Sequence, residues 1–479
     1  MQPRRAPEAP VSTLRRVVVN TGSQAFARAV SVALGAVTMV VLTRHLGVGS
    51  FGVLVAALTY VSLFSILIDL GTGTILVREL ASRPHSQGAL LAKALGLRLT
   101  LAAGAALLAG ALLPALYHGD SRIRLAALLV LPTIVFGSIS TTLVAPLQAA
   151  LRMRRIAMVD IAVQVVATAA ILVLVHEHRG LYALLGAGVA AAGLNAVLVA
   201  LACRNIVGIV RPEVDRDAWR RLLVEALPLG IALILNTIYF RVDAILLSVL
   251  RGSEDTGIYG VAYRFLEVST GFTNLLVMSL FPLLAAAAHS HDTARVQDIA
   301  QRGLDVLVLA GIPLVVATVV VAPTLVRLAA GSAFGSAVGP LRIVIVAAAL
   351  MPVNGLLGYL LIALRRERDA LWLNVVALGV NVGLNLALIP RFGVTAAAWI
   401  ATSSELVILV GVLVLVRRYA GFTPALGISV RAVAAGAAMA GAMLAVGSHA
   451  AAAVAAGAAA YALALYVLRV HRIARPASA

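Results

Sequence analysis

Fourteen apolar stretches follow one another along the chain, and each is long enough to cross a bilayer as a helix. Crossing the roughly 30 Å of hydrocarbon takes about 20 helical residues. The sequence therefore predicts an all-α integral membrane protein. The predicted spans cover residues 17–43, 52–77, 93–115, 123–148, 156–175, 181–202, 222–250, 257–285, 304–326, 339–364, 370–389, 394–416, 428–447 and 450–468.

Composition supports lipid as the main solvent of this protein. Of its 479 residues, 61% are apolar and only 12% are charged. Soluble globular proteins carry roughly 45–50% apolar and about 25% charged residues. Ala and Gly dominate the apolar set, and small residues let helix backbones approach closely within a membrane.

The positive charges predict the topology. The chain has 38 basic residues, all arginine except Lys93. With the N-terminus in the cytoplasm and alternating spans, 26 of them fall in inner segments, seven at outer turns and edges, and five within spans. This asymmetry follows the positive-inside rule and predicts that both termini are cytoplasmic. The net charge of +18 thus reflects topology, and no nucleic-acid partner is expected.

The spans group into two halves. Residues 46–61 resemble residues 251–266, near the first turn of each half, which favours a pseudo-two-fold repeat with a cavity between two lobes. We expect the connection between the lobes to be loosely packed. The predicted parts are a cytoplasmic basic arm (1–16), an N-lobe of six spans (17–202), a cytoplasmic linker (203–221), a C-lobe of six spans (222–416), and two further spans with a cytoplasmic tail (417–479).

Polar side chains form stripes within six of the spans. An ionised side chain at the bilayer centre costs about 2.5–3.5 kcal/mol on insertion scales, so such residues face a bundle interior or a wet cavity. Arg241 points away from the stripe of its own span. The stripes consist of Asn20, Gln24, Arg28 and Ser31; Ser62, Ser65 and Asp69; Asp160, Gln164 and Thr168; Asn236, Tyr239 and Asp243; Tyr259, Tyr263, Glu267, Thr270 and Asn274; and Asn374, Asn381 and Asn385.

These stripes supply the candidate site residues, and each has a structural alternative. Arg264 can neutralise Glu267 one turn away, Arg98 is expected to snorkel to the inner interface, and the asparagines of the eleventh span are expected to join helices by hydrogen bonds. The candidates for a substrate cavity are Arg28, Arg264, Arg241, Asn20, Gln24 and Tyr263. The candidates for ion coupling are Asp69, Glu267 and Asp160.

Motifs for enzymatic chemistry are missing from the sequence. A phosphate-binding loop needs Gly-Lys-Ser/Thr, but Lys93 is followed by Ala94. The chain has no His-Glu-x-x-His stretch, no nucleophile elbow and a single cysteine, Cys203. We therefore expect neither an enzyme nor a metal site.

Four ordered stretches resemble the polysaccharide-flippase branch of the multidrug/oligosaccharidyl-lipid/polysaccharide (MOP) exporter superfamily. They touch both halves of the chain at the spacing of the family. The stretches are LTRHLGVGSFGVLVAALT (42–59), DLGTGTILVRELA (69–81), YFRVDAILLSVLRGSEDTGIYGVAYRF (239–265) and NVVALGVNVGLNLALIPRFGVTAAAWIATSSE (374–405).

The resemblance implies a fold of two six-helix lobes arranged in a V, as in multidrug (MATE) exporters, plus two C-terminal helices. It also implies a flippase of the bacterial cytoplasmic membrane, which moves a polyprenyl-diphosphate-linked oligosaccharide from the inner to the outer leaflet by alternating access, for cell-surface polysaccharide biosynthesis. Its implied partners are this substrate, membrane lipids, a polysaccharide polymerase and glycosyltransferases. No cofactor is expected beyond coupling to a proton or sodium gradient.

Two alternatives remain open at the level of the sequence. Acidic residues within the spans, Asp69, Asp160 and Glu267, are compatible with a MATE-like drug/cation antiporter. A membrane-embedded glycan polymerase or ligase is less favoured, because such enzymes usually carry a large outer loop and the predicted outer turns are short.

Overall fold

The computed structural model describes residues 10–82, 87–290, 292–447 and 449–470, without the side chains of residues 10–26, 229, 232 and 272–276. All regular structure in the described part is helical, which confirms the predicted all-α class. The helices are α1 (Pro10–Asp69), α2 (Thr72–Ser82), α3 (Gln87–Leu116), α4 (Ser121–Val130), α5 (Pro132–Ala149), α6 (Met153–His176), α7 (Leu181–Val207), α8 (Arg216–Leu250), α9 (Ser253–His289), α10 (Thr293–Ala330), α11 (Val338–Ala363), α12 (Glu367–Ala420), α13 (Gly427–Val446) and α14 (Ala450–Val467), with a 3₁₀ helix at Ser332–Ala337.

Eleven helical segments of the described residues are long and apolar enough to cross a membrane. Two of them, Ala27–Ser82 with 56 residues and Glu367–Ala420 with 54, have twice the length of one crossing. Each is broken by a glycine with a positive φ, 68° at Gly47 and 54° at Gly393. Each of these two segments can supply two crossings, and the 37-residue α9, which is not among the eleven segments, can supply one more. The helices therefore accommodate the fourteen predicted spans.

The chain divides into two units, each with its own core. One contains the residues up to Leu46 together with Val53–Ile238, and the other contains Gly47–Gly52 and Tyr239–Ala479. The boundary lies inside α8, between Ile238 and Tyr239, so it does not coincide with the predicted linker. The six residues Gly47–Gly52, between the first two predicted spans, belong to the second unit by their contacts.

In the first unit, α5 packs against α2, α3 and α7 around a core of aliphatic residues from these helices and from the start of α8. The beginning of α8 is fixed by Asp215, whose Oδ1 accepts the backbone amide of Ala218 at 2.9 Å, as a helix N-cap does. This hydrogen bond, together with one from the Lys93 ammonium, lowers the pKa of the Asp215 carboxyl.

The prediction of a loosely packed linker is wrong, because residues 213–219 are hydrogen-bonded to the N-terminal part of α3. The backbone amide of Glu213 donates to the carbonyl of Ala92 at 3.0 Å, and Trp219 Nε1 donates to the carbonyl of Lys93 at 2.9 Å. Lys93 Nζ also pairs with Asp215 Oδ2 at 2.7 Å. A polar, proline-containing sequence resembles a free loop, but here its backbone and side-chain groups find partners within the first unit.

In the second unit, α11 packs against α9, α10 and α12, and α13 packs against α10 and α14. The segment Gly47–Gly52 is held there by close backbone packing against the start of α9. A Cβ on Gly52 would collide with the Ser253 carbonyl oxygen, and a Cβ on Gly257 would lie 2.5 Å from the carbonyl oxygen of Val48. Phe51 also meets Phe334 edge to face, with ring centroids 5.7 Å apart.

Candidate functional site

A carboxylate is buried between helices of the second unit. Asp243 projects from α8 and is only 5% exposed. Its Oδ1 accepts a hydrogen bond from Asn385 Nδ2 of α12 at 2.7 Å, and its Oδ2 accepts one from the Tyr259 hydroxyl of α9 at 3.3 Å. Three helices of the second unit therefore converge on this one carboxylate.

Asparagines extend this contact along α12. Asn385 Nδ2 also donates to Asn381 Oδ1 at 2.9 Å, and Asn381 Nδ2 donates to Ser404 Oγ at 3.0 Å. Asn385 Oδ1 is buried without a hydrogen-bond partner among the described residues. Asn381 and Asn385 thus join helix segments as the sequence predicted, whereas Asn374 is exposed and its side-chain amide donates only to its own helix.

A second carboxylate, Glu405 of α12, is buried in the same unit and is 3% exposed. Its Oε1 accepts from the Tyr239 hydroxyl at 2.8 Å, and its Oε2 accepts from Asn354 Nδ2 of α11 at 2.7 Å. Asn354 Oδ1 is buried and has no hydrogen-bond partner in the described part of the chain.

Neither Asp243 nor Glu405 forms an ion pair with a described residue. Burying an uncompensated charge is costly, and hydrogen bonds from neutral donors offset only part of that cost. Uptake of a proton or of a monovalent cation would neutralise the carboxylate and remove this cost. The unpartnered amide oxygens of Asn354 and Asn385 are further acceptors beside these carboxylates. Within the described residues, no group of three or more His, Cys, Asp or Glu side chains is close enough to hold a metal ion.

A cationic cluster lies in the second unit, where two arginines share one glutamate. Arg241 Nη1 of α8 lies 3.1 Å from Glu267 Oε1, and Arg264 Nη1 of α9 lies 2.9 Å from Glu267 Oε2. Two guanidinium groups and one carboxylate leave one positive charge. At a rise of about 1.5 Å per residue, Arg241 is about 14 Å and Arg264 about 16 Å along the helix from the α8–α9 turn. Each distance is about half of the roughly 30 Å of hydrocarbon that a spanning helix crosses. All three side chains are partly exposed.

Tyr263, another predicted cavity residue, makes its hydrogen bond within the second unit. The Tyr263 hydroxyl donates to the backbone oxygen of Phe240 at 2.7 Å. Arg28 belongs to the first unit and is exposed. Asn20 and Gln24 lie outside the described side chains.

The predicted ion-coupling acids have three different surroundings. Glu267 is the shared partner of the two arginines, and Asp160 is exposed and forms no ion pair with a described residue. Asp69 pairs with Arg98, which is 2% exposed, so the predicted snorkelling of Arg98 is wrong. Arg98 instead points inward, to the break between α1 and α2, where Asp69 ends the helix and Leu70 has a φ of 39°.

Sequence reasoning missed most of the buried carboxylate network. Asp243 and Tyr239 were assigned to a polar stripe but not to a site, and Glu405, Asn354 and Ser404 were not singled out. Glu405 is an ionisable residue inside the predicted twelfth span. The criterion that selected Asp69 and Asp160 would therefore also have selected it.

Membrane-length apolar helices that carry buried carboxylates and a pair of arginines are typical of a polytopic membrane transporter. One solved structure with this fold is the lipid II flippase MurJ in an inward closed conformation, with a TM-score of 0.79 and 11% identity over 95% of this chain and 100% of that chain. Another is an inward-facing multidrug MATE transporter of the MOP superfamily, with a TM-score of 0.65 and 12% identity over 82% of this chain and 95% of that chain. A MOP superfamily transporter from Pyrococcus furiosus is also similar, with a TM-score of 0.60 and 12% identity over 85% of this chain and 96% of that chain.

The family model described as polysaccharide biosynthesis protein matches residues 17–288, and the MatE model matches residues 228–387. The chain belongs to the polysaccharide biosynthesis protein family, within the flippases and transporters of the MOP superfamily. No curated protein matches the sequence.

Proposed function

We propose that this protein is a flippase that moves a polyprenyl-diphosphate-linked oligosaccharide from the inner to the outer leaflet of a bacterial cytoplasmic membrane, by alternating access, for cell-surface polysaccharide biosynthesis. The headgroup of such a substrate is large, hydrophilic and anionic, so its unassisted crossing of the hydrocarbon core is slow. The polyprenyl tail can remain in the bilayer while the headgroup crosses.

The observation that carries this proposal is the surplus positive charge of Arg241 and Arg264 around Glu267. Guanidinium groups bind phosphate oxygens through paired N–H donors, and these charge-assisted hydrogen bonds strengthen where water is scarce. Glu267 neutralises one arginine and holds both in place, which leaves N–H donors and one net charge for a diphosphate. Arg28 adds a second cationic candidate in the first unit, and the family assignment supports a saccharide substrate.

Coupling to a cation gradient is the second part of the proposal. Asp243 and Glu405 are buried, hydrogen-bonded to neutral donors and without a cationic partner among the described residues. A proton or sodium ion that binds one of them changes the charge of the core of the second unit. Such a change alters the relative free energies of transporter conformations only if the ion binds them with different affinities. These two residues replace Asp69 and Asp160 as our coupling candidates.

A drug/cation antiporter is the second candidate function. The MatE match over residues 228–387 includes Asp243 and the arginine cluster, and buried carboxylates suit a cationic substrate as well as a coupling ion. The two arginines argue against this function, because they would repel a cationic drug.

Mass spectrometry of polyprenyl-linked glycans separates the two functions. A deletion strain of the source bacterium should accumulate an unexported polyprenyl-diphosphate-linked glycan and lose surface polysaccharide. Wild-type protein should reverse both effects. A deletion strain with normal glycan pools, but with increased sensitivity to cationic drugs, would support the antiporter instead.

A further inference from the structure

Five exposed arginines form a patch at one end of the second unit. α11 ends there at Ala363, and the first and last turns of α12, which is broken at Gly393, both lie there. The arginine patch consists of Arg365, Arg366, Arg368, Arg417 and Arg418. None of the five forms an ion pair with a described residue. The first turn of α12 contributes Glu367 and Asp369, so five positive and two negative charges leave a net charge of +3.

One tyrosine brings the two chain segments of the patch together. Arg366 Cζ lies 4.1 Å from the ring centroid of Tyr419, and Arg418 Cζ lies 5.7 Å from the same centroid. The Tyr419 ring itself packs against the core formed by α9, α10, α11 and α12, so its position is fixed. Cation–π attraction holds each guanidinium near the ring, but the two charges repel each other. An anion bound beside them would relieve that repulsion.

A tryptophan extends the patch toward the bilayer. Trp372 follows Arg368 by four residues in α12, so the two side chains share one helix face one turn apart. Trp372 is 68% exposed. Tryptophan prefers the boundary between headgroups and hydrocarbon. The helix therefore presents cations at the level of lipid phosphates and an indole at the level of the first acyl carbons.

We propose that the arginine patch is a binding site for anionic phospholipids, whose phosphates contact Arg366 and Arg418 and whose acyl chains pass Trp372. Arginine suits this role because its fork of N–H donors matches two phosphate oxygens. Basic clusters directly beside a membrane-spanning helix attract anionic lipids. The patch lies at the ends of spans, beside bulk lipid, rather than near mid-bilayer with Arg241 and Arg264. The proposal is therefore independent of the transported substrate.

Tryptophan fluorescence tests the proposal, since the chain has only three tryptophans. A protein with Trp219→Phe and Trp399→Phe keeps Trp372 as its reporter. It is reconstituted in phosphatidylcholine vesicles with increasing fractions of brominated phosphatidylglycerol or brominated phosphatidylcholine. We expect the brominated anionic lipid to quench Trp372 at a several-fold lower mole fraction, and we expect high salt to reduce this preference.

Variants link the preference to the patch. Arg366→Gln with Arg418→Gln should abolish it, whereas Arg204→Gln with Arg211→Gln, which removes two exposed arginines from the first unit, should preserve it. Arg366→Lys with Arg418→Lys should retain part of it, and this pair serves as the second test if the glutamine pair does not fold. In a protein that keeps only Trp399, six residues after the Gly393 break, both lipids should quench equally. Equal quenching of Trp372 by the two lipids, or a preference that survives the Arg366 and Arg418 substitutions, would overturn the proposal.

Discussion

Asn385 Nδ2 donates a hydrogen bond to Asp243 Oδ1 at 2.7 Å, and this contact joins α12 to α8 inside the second unit. The same amide also contacts Asn381, so its Nδ2 donors are used within the network and its Oδ1 is left buried without a partner in the described part of the chain. A carboxylate held only by neutral donors is poised to bind a proton or a cation.

Asp243→Asn should remove the dependence of transport on an ion gradient while leaving the protein folded, because the amide keeps the shape of the side chain but lacks the negative charge that attracts a proton or sodium ion. The measurement is glycan flipping in vesicles under imposed sodium and proton gradients. Asn374→Ala is the control, since Asn374 is exposed on α12, the helix of Asn385, and lies outside the network. A variant that responds to both gradients as the wild-type protein does would rule out Asp243 as the coupling residue.

Gly96→Ala should destabilise the first unit, because a Cβ at this position would collide with the backbone of Glu213, with its carbonyl carbon 2.9 Å away. Overpacking of this kind typically costs about 1–3 kcal/mol. Gly104→Ala is the matched control in the same helix, where a Cβ meets nothing within 4 Å. Thermal unfolding in detergent should show a lower midpoint for Gly96→Ala only; equal midpoints would mean that the linker is not packed on α3.

The same linker should loosen in acid. The pKa of Asp215 is lowered in the folded protein by the Ala218 amide and by Lys93. Its stabilising contribution is therefore present above the unfolded pKa of about 3.9 and is lost as the pH falls through the lower folded pKa. Amide exchange at Ala218, followed as the pH falls after correction for the intrinsic rate, should lose protection in this range. Asp215→Asn should remove the pH dependence.

Gly52→Ala should disturb the docking of Gly47–Gly52 in the second unit, since the added Cβ would run into the Ser253 carbonyl. Gly49→Ala should be tolerated, because the nearest heavy atom to its Cβ, Glu254 Cγ, lies 4.0 Å away. Limited proteolysis within 47–52 reports directly on this docking. Faster cleavage is expected for Gly52→Ala alone, and equal cleavage of both variants would contradict the tight glycine contact.

Both termini should be cytoplasmic. Cysteines introduced at Ser121 and Glu254 should then react with an impermeant maleimide in intact cells, and a cysteine at Arg152 should react only after lysis. Ser121, Glu254 and Arg152 are exposed, and Cys203, the only native cysteine, is buried, so its background reaction should be low. The opposite labelling pattern would invert the topology.

Span count and helix class could be predicted from the sequence because apolar length alone determines a crossing. The break positions were equally accessible, since Gly47 and Gly393 lie between predicted spans. The linker was misjudged because its polar residues resemble those of a solvated loop. Only the fold reveals that Glu213 and Trp219 donate hydrogen bonds to carbonyl groups near the start of α3.

Side-chain partners were harder to predict than helices. A helical wheel placed Asp243 with Tyr239 and placed Arg264 one turn from Glu267, because these relationships are local in one helix. It could not pair Arg241 with Glu267 or Asn354 with Glu405, because each pair joins two helices whose rotation and register depend on packing. Arg98 was misassigned for the same reason, as its partner Asp69 lies on another helix.

The most direct test of the proposed function is flipping of a purified lipid-linked oligosaccharide by the purified protein. Vesicles that contain a polyprenyl-diphosphate-linked oligosaccharide are treated from outside with an impermeant glycosidase, which digests only outer-leaflet glycan. With the wild-type protein, the whole pool should become accessible over time. Arg241→Ala or Arg264→Ala should slow this at least about tenfold, as expected for the loss of a charge-assisted hydrogen bond of roughly 1.5–3 kcal/mol. If the inner-leaflet pool stays protected in the presence of folded wild-type protein, the proposed function is contradicted.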